Sequence, residues 1–203
     1  MGHGIARSTL MSRETTLPLA SSSSHSIRLR RMNQFDVKTE IDFDRRLSFH
    51  SRYFRFGSDD ARLYEERLQQ LCADDHCACR CFIAEVEDQG TTSPVAFGRF
   101  EMDADKDCEM SIIVADEWQG KGLGRQITEA LIAGAKACGM RRMYVDVLAS
   151  NTAMLKLANR CGFVESKESV PGLVRSLCLV LDDYLVGEDR FDTASTCPDS
   201  SPS

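Results

Sequence analysis

Gln119-Gly120-Lys121-Gly122-Leu123-Gly124-Arg125 joins two segments of different periodicity. On its N-terminal side, residues 109–115 are mostly apolar and β-branched, the pattern of a strand. On its C-terminal side Ile127, Ala130, Leu131, Gly134, Ala135 and Cys138 recur at helical spacing, and Gly139 stands where a helix stops. Three glycines in five residues at a strand-to-helix junction remove the side chains that would hold a ligand away from backbone N–H groups. Those amides, with a helix dipole behind them, make an anion site suited to a pyrophosphate. The spacing excludes two common phosphate loops. A Walker loop places Ser or Thr after its Lys, and here Gly122 follows Lys121. A dinucleotide loop reads Gly-x-Gly-x-x-Gly after the first strand of a parallel unit, whereas this one reads Gly120-x-Gly122-x-Gly124 and follows several antiparallel strands. A glycine-rich turn with no ligand is the third reading.

Working outward from the loop, residues 27–32 alternate as a strand and residues 36–47 are polar and helical. Ser58 caps a second helix in which Ala61, Tyr64, Leu68, Leu71 and Cys72 share a face. Strands follow at 81–86 and 95–102, with turns at Gly90 and at 103–107. Beyond the loop come a helix over 123–138, a strand at 143–148, a helix over 152–160 ended by Gly162, and strands at 163–169 and 173–181. This order predicts a single α/β (α+β) domain built on a mixed, largely antiparallel sheet flanked by helices. The small face of helix 123–138 predicts close approach to the sheet, with Gly134 costing about 1 kcal/mol of helix propensity.

The chain has 203 residues and a net charge of −6, so no global field draws it onto phosphate backbones and nucleic acid is not an expected partner. Much of the surplus lies in residues 182–203, where Asp182, Asp183, Glu188, Asp189, Asp192 and Asp199 stand against Arg190. That segment reads as an acidic, disordered tail, and residues 1–26, closed by Ser21-Ser22-Ser23-Ser24, read as a flexible one. The intervening 27–181 is long enough to bury around 70% of its unfolded surface in one core. No stretch approaches the roughly 18 uninterrupted apolar residues of a membrane helix, and no secretory signal is evident, so membrane association is not expected. Nine cysteines, an odd number, point to reduced thiols and a cytoplasmic setting. Cys72, Cys77, Cys79 and Cys81 lack the second pair or histidine couple of a zinc site; Cys77, Cys79 and Cys81 read as small hydrophobes on one strand face, and no metal is expected.

Two motifs carry a resemblance. Gln119-Gly120-Lys121-Gly122-Leu123-Gly124 resembles the Arg/Gln-x-x-Gly-x-Gly/Ala loop of the GNAT superfamily of N-acetyltransferases, which binds the pyrophosphate of acetyl-CoA. Asn151, the run Met154 through Leu157, and Gly162-Phe163 resemble that superfamily's Asn-to-Gly-Phe segment. The resemblance spans about residues 27–181. Within the superfamily, Ser51-Arg52-Tyr53-Phe54-Arg55-Phe56, and Glu109 fifteen residues before Gly124, resemble the acetyltransferase domain of bacterial protein-lysine acetyltransferases. Those are often fused to an acyl-CoA-synthetase-like region, which 203 residues do not hold, so a stand-alone version is implied.

The resemblance implies a sheet with splayed central strands and direct transfer of an acetyl group from acetyl-CoA to a primary amine, either a protein lysine or a small molecule. It implies that backbone groups of Ile112, Ile113 and Val114 pair with the pantetheine arm and thioester oxygen. Gln119, Gly120, Lys121, Gly122, Leu123, Gly124 and Arg125 would hold the pyrophosphate, and Asn151 the pantetheine arm. Asn before a helix is also an ordinary N-cap. Glu109 is the candidate general base, alternating with Cys108, Met110, Ile112 and Val114 and so facing the other side of the sheet. Asp146, five residues before Asn151, is the second candidate carboxylate. Many members place a Tyr, as general acid, seven residues after the motif Asn, where this chain has Ala158; Tyr144 and Tyr53 are candidate substitutes. That departure motivates an alternative, a non-catalytic acyl-CoA-binding regulatory module. Residues 47–59 and 168–172 are read as the loops that select the acceptor, and monomer and homodimer are both open.

Overall fold

Ile27 and Leu29 are buried while Arg28 is exposed, the period-two alternation that makes a half-buried strand. The computed structural model describes residues 15–17, 27–56, 66, 68, 69, 79–88, 90–103, 106–166 and 172–181. Within them run β1 (Thr15–Leu17), β2 (Ile27–Arg31), α1 (Val37–Arg46), α2 (Phe49–Phe56), β3 (Cys79–Asp88), β4 (Thr91–Met102), β5 (Asp107–Val114), α3 (Leu123–Ala137), β6 (Arg142–Leu148), α4 (Thr152–Arg160), β7 (Val164–Glu165) and β8 (Val174–Val180). The strands form one eight-stranded sheet in the order β1-β2-β3-β4-β5-β6-β8-β7. Only β5 and β6 pair in parallel, so the mixed, largely antiparallel sheet expected from the sequence is what forms.

Each face of the sheet carries helices. On one, Phe82, Ala96, Phe100 and Met110 pack with Leu123, Ile127, Leu131 and Ala135 of α3, and the same core takes in Ala158 of α4 and Phe163. On the other, Ile83, Phe97 and Ile113 meet Phe43 and Leu47 of α1, with the Phe43 and Phe97 rings edge to face at 5.0 Å. The close approach of α3 arises from a residue other than the one expected. A Cβ at Gly98 of β4 would stand 2.5 Å from Ile127 Cγ2, whereas at Gly134 it would meet Phe100 Cε1 at 3.4 Å, an ordinary contact. The sheet, rather than the helix, supplies the obligatory glycine.

Three local differences from the sequence reading have physical causes. Residues 49–56, read as loop, form α2, whose amphipathic pattern is obscured by aromatic residues and arginines; Ser48 caps it, its Oγ accepting from Ser51 N at 3.2 Å. Thr15–Leu17, within the segment read as a tail, pairs antiparallel with β2, because an edge strand offers unpaired N–H and C=O groups. β7 is short, Val164–Glu165, with residues 167–171 outside the described set. The helix expected after Ser58 falls outside it too, except for helical backbone at 66, 68 and 69. Cys77 lies outside as well, while Cys81 of β3 is buried, opposite Arg99 of β4. Among the described residues, no helix is long and apolar enough to cross a membrane.

The feature that positions the site is a split in the middle of the sheet. The β5–β6 ladder holds only Asp107 with Arg142, Cys108 with Met143 and Glu109 with Tyr144. Beyond them β5 runs on to Val114 beside β4, and β6 runs on to Leu148 beside β8. The two central strands part at Glu109 and Tyr144.

Candidate active site

The register of β5 decides which of its groups face the split. Ala115 N donates to Val95 O at 2.9 Å and Asp103 N to Asp107 O at 2.7 Å. Alternation between these two bonds turns the N–H and C=O of Glu109, Ser111 and Ile113 toward β4, and those of Met110, Ile112 and Val114 toward the side β6 has vacated. Ile112 and Val114 therefore turn their backbone groups to an open strand edge. The Ile113 backbone faces Phe97 and its side chain is buried under α1. Strand parity is invisible until register is known.

The glycine loop closes the upper end of this edge. Gly120 and Gly122 adopt φ of 72° and 88°, left-handed backbone that favours glycine. No atom lies within 4 Å of where a Cβ would stand at either position, so both leave the loop open. Gly124 has a third role, since a Cβ there would meet Leu157 Cδ2 at 3.2 Å; it lets α3 pack against α4. No side chain caps α3 at Gly122, and first-turn N–H groups have no acceptor within their own helix. Lys121 Nζ sits 4.9 Å from the centroid of the Trp118 ring. The Leu123 side chain is wholly buried in the core. Arg125 Nε donates to Glu129 Oε1 at 2.8 Å, a pairing along the exposed helix face. Gln119 Nε2 donates to Val114 O at 3.0 Å and to Ser51 Oγ at 3.2 Å, so its side chain braces the β5 edge. Asn151 is the N-cap of α4, Oδ1 accepting from Met154 N at 3.1 Å. Its Nδ2 carries the donors that an amide carbonyl would need.

Glu109, with an exposed side chain, stands at the vertex of the split, on the face shared by Arg99, Glu101 and Ser111. Asp146 lies two positions along β6 from Tyr144 on that same face, and its Oδ1 accepts from Ser176 Oγ at 2.6 Å. Tyr144 neighbours both carboxylates. Burial pushes its phenol up to about 12, with the negative charges of Glu109 and Asp103 adding to the shift. Its hydroxyl donates to Asp103 Oδ2 at 3.5 Å, toward the closed end of the split. Tyr53 is exposed on α2. Ala158 is fully buried in the α4 contact, so the side chain at that position belongs to the core.

Sequence reasoning missed two polar groups beneath α1 and α2. Glu40, almost fully buried, meets Arg55 and Arg99, each at 3.4 Å. Asp44 is buried beside them with neither carboxylate oxygen hydrogen-bonded, and burial pushes it up to about 7. The second group ties Asp116 to Ser48 and Ser51. Ser48 ahead of an aromatic run was the available signal, an N-cap signature.

Residues 44–163 match the model of the acetyltransferase (GNAT) family. An acetyltransferase of Pseudomonas aeruginosa is 31% identical over 141 residues, covering 69% of this chain and 76% of its own. Among solved structures, the GNAT domain of S. lividans PAT aligns with a TM-score of 0.70 at 22% identity, over 82% of this chain and 96% of that one. A Salmonella typhimurium protein solved with its cofactor acetyl-CoA aligns with a TM-score of 0.60 at 21% identity, over 80% and 98%. The split, the glycine loop and the Asn151 cap all lie inside the matched stretch, and the chain belongs to the GNAT family of acetyltransferases.

Proposed function

We propose that this chain transfers an acetyl group from acetyl-CoA to a primary amine, with Glu109 as general base and residues 27–181 as the working unit. The observation that carries the reading is the place of Glu109, at the vertex where β5 and β6 part, beside an open β5 edge and below an uncapped, glycine-rich helix start. The residues fit the donor: Gly120 and Gly122 leave the loop unobstructed, its amides and those of the first turn of α3 suit a pyrophosphate, and Ile112 and Val114 present strand-edge groups to an amide-bearing arm. Asn151 Nδ2 supplies a further donor for that arm. Bound acetyl-CoA supplies the activated thioester carbonyl.

Glu109 takes a proton from the acceptor's ammonium group, directly or through one water, and leaves a neutral amine to form the new C–N bond as the C–S bond breaks. The attacking nitrogen gives up its second proton to solvent and the departing thiolate takes one from solvent, in keeping with the buried Ala158 and with the Tyr144 hydroxyl directed at Asp103. Asp146, on the same face, adds negative charge that favours a cationic acceptor over an anionic one. A protein lysine and a small-molecule amine share that chemistry. The odd cysteine count supports action in a reducing compartment such as the cytoplasm.

Two measurements test this reading. Titration calorimetry with acetyl-CoA should show saturable binding, and a panel of amines and lysine peptides should release CoA thiol in its presence; absent binding heat overturns the donor assignment. The buried Ala158 favours a second reading, a non-catalytic acyl-CoA-binding module, for which binding without thiol release from any amine is the distinguishing result.

A further inference from the structure

The start of α2 is fastened to the approach of the glycine loop by a carboxylate distant in sequence. Asp116, just beyond β5, accepts from Ser48 N at 2.9 Å through Oδ2, and through Oδ1 from Ser48 Oγ at 2.9 Å and Ser51 Oγ at 2.6 Å. Ser48 is itself the cap of α2, with Arg52 N donating to its carbonyl at 3.0 Å. The network continues through Gln119, whose Nε2 donates to Ser51 Oγ at 3.2 Å and to Val114 O at 3.0 Å. One connected set of bonds thus joins the α2 N-terminus, the first residue of the loop and a carbonyl on the open edge of β5.

Two further features concern α2 and the charge on Asp116. α2 lies over the sheet face that carries the Glu109 side chain, and it exposes Phe49 and Tyr53, whose rings stack at 6.4 Å. Phe49 and Tyr53 are exposed, while Arg55 near the other end of α2 reaches Glu40 at 3.4 Å. The Asp116 carboxylate also meets the positive end of the α2 dipole, and the Ser51 and Ser48 hydrogen bonds hold its carboxyl below the usual range, so it remains charged in neutral solution.

We propose that Asp116 is a positioning residue that couples acyl-donor binding at the glycine loop to the placement of α2 over the acceptor side of the split. The proposal rests on the acetyl-CoA reading above. A donor that fixes Gln119 and the Val114 carbonyl fixes Ser51, and with it the helix on which Tyr53 and Arg55 ride. By linkage, an acceptor that settles α2 raises donor affinity by the same factor. A cap that serves stability alone would hold α2 equally well with and without donor.

Hydrogen exchange on the full chain, with and without saturating acetyl-CoA, separates these possibilities. In the unmodified protein, acetyl-CoA should slow exchange at residues 120–126 and also at residues 49–56, the latter by roughly five-fold or more, the lower range of measured couplings. Asp116→Ala should keep the slowing at 120–126 and lose it at 49–56. Ser51→Ala, which removes only the bridging hydroxyl, should give the same loss and decides the matter if the Asp116 variant does not fold. Slowing confined to the loop in the unmodified protein overturns the coupling while leaving the donor assignment intact, as does an α2 response that survives both substitutions. Exchange unchanged anywhere, with no binding heat, overturns the donor assignment and the coupling together.

Discussion

Asp44 is buried on α1 with no hydrogen bond to either carboxylate oxygen, facing Glu40 from its own helix, Arg55 from α2 and Arg99 from β4. Burial raises its pKa to about 7, the Glu40 charge adds to that, and the two arginines oppose it. A carboxyl whose folded pKa lies above its unfolded one contributes stability that is complete below the unfolded value near 3.8 and is lost as pH rises through about 7. Asp44→Asn should therefore gain in Tm relative to the unmodified protein as pH is raised from 5 to 8; a Tm difference that does not move with pH would contradict a burial cost on the Asp44 charge that outweighs the two arginines. Residues of the loop were legible in the sequence for a different reason. Left-handed backbone at Gly120 and Gly122 favours one residue type, so the letters themselves report the conformation. Gly122→Ala should accordingly strain the loop by about 1 kcal/mol and weaken acetyl-CoA binding several-fold in calorimetry. The backbone of Ile113 was not legible, because three consecutive apolar residues on a strand do not say which of them turns its amide toward a neighbour.

At the level of elements, period-two and period-3.6 patterns revealed most strands and α3, since each buries one face. α2 escaped because its eight residues mix aromatics with arginines, and its anchor, Asp116, is more than sixty residues away in sequence. The fit of α3 on the sheet was legible only in part: small residues on the helix showed that the approach is close, but the partner that makes it close, Gly98, reads as an unremarked strand residue. The two glycines should respond oppositely to alanine. Gly98→Ala forces a Cβ to within 2.5 Å of Ile127 Cγ2 and should destabilise by about 1–3 kcal/mol, the usual range for overpacking. Gly134→Ala meets only ordinary contacts and should be neutral or stabilise by up to about 1 kcal/mol through helix propensity. Thermal unfolding of the two variants checks the pair, and equal losses would contradict this account of the α3 interface.

Among the described residues, the sheet is paired antiparallel on both sides of its middle, where three parallel pairs give way to a split. The residues proposed for chemistry lie on the two arms of that split and the segments that follow them: Ile112 and Val114 on the open edge of β5, the glycine loop after β5, the Asn151 cap after β6, and Glu109 where the arms meet. The sequence showed these parts as separate motifs, and the topology places them on neighbouring strands and the turns that follow those strands. The central claim is that Glu109 deprotonates the acceptor while taking no part in holding the donor. Glu109→Gln, compared with the unmodified protein in acetyl-CoA calorimetry and in steady-state thiol release across pH, tests it most directly. The account predicts a Kd for acetyl-CoA within about two-fold of the original and a kcat lower by roughly 10²–10⁴, the range for a lost general base, with part of the rate returning at high pH as free amine accumulates. A kcat that is unchanged at every pH, or a loss of activity that tracks lost acetyl-CoA binding, would contradict it.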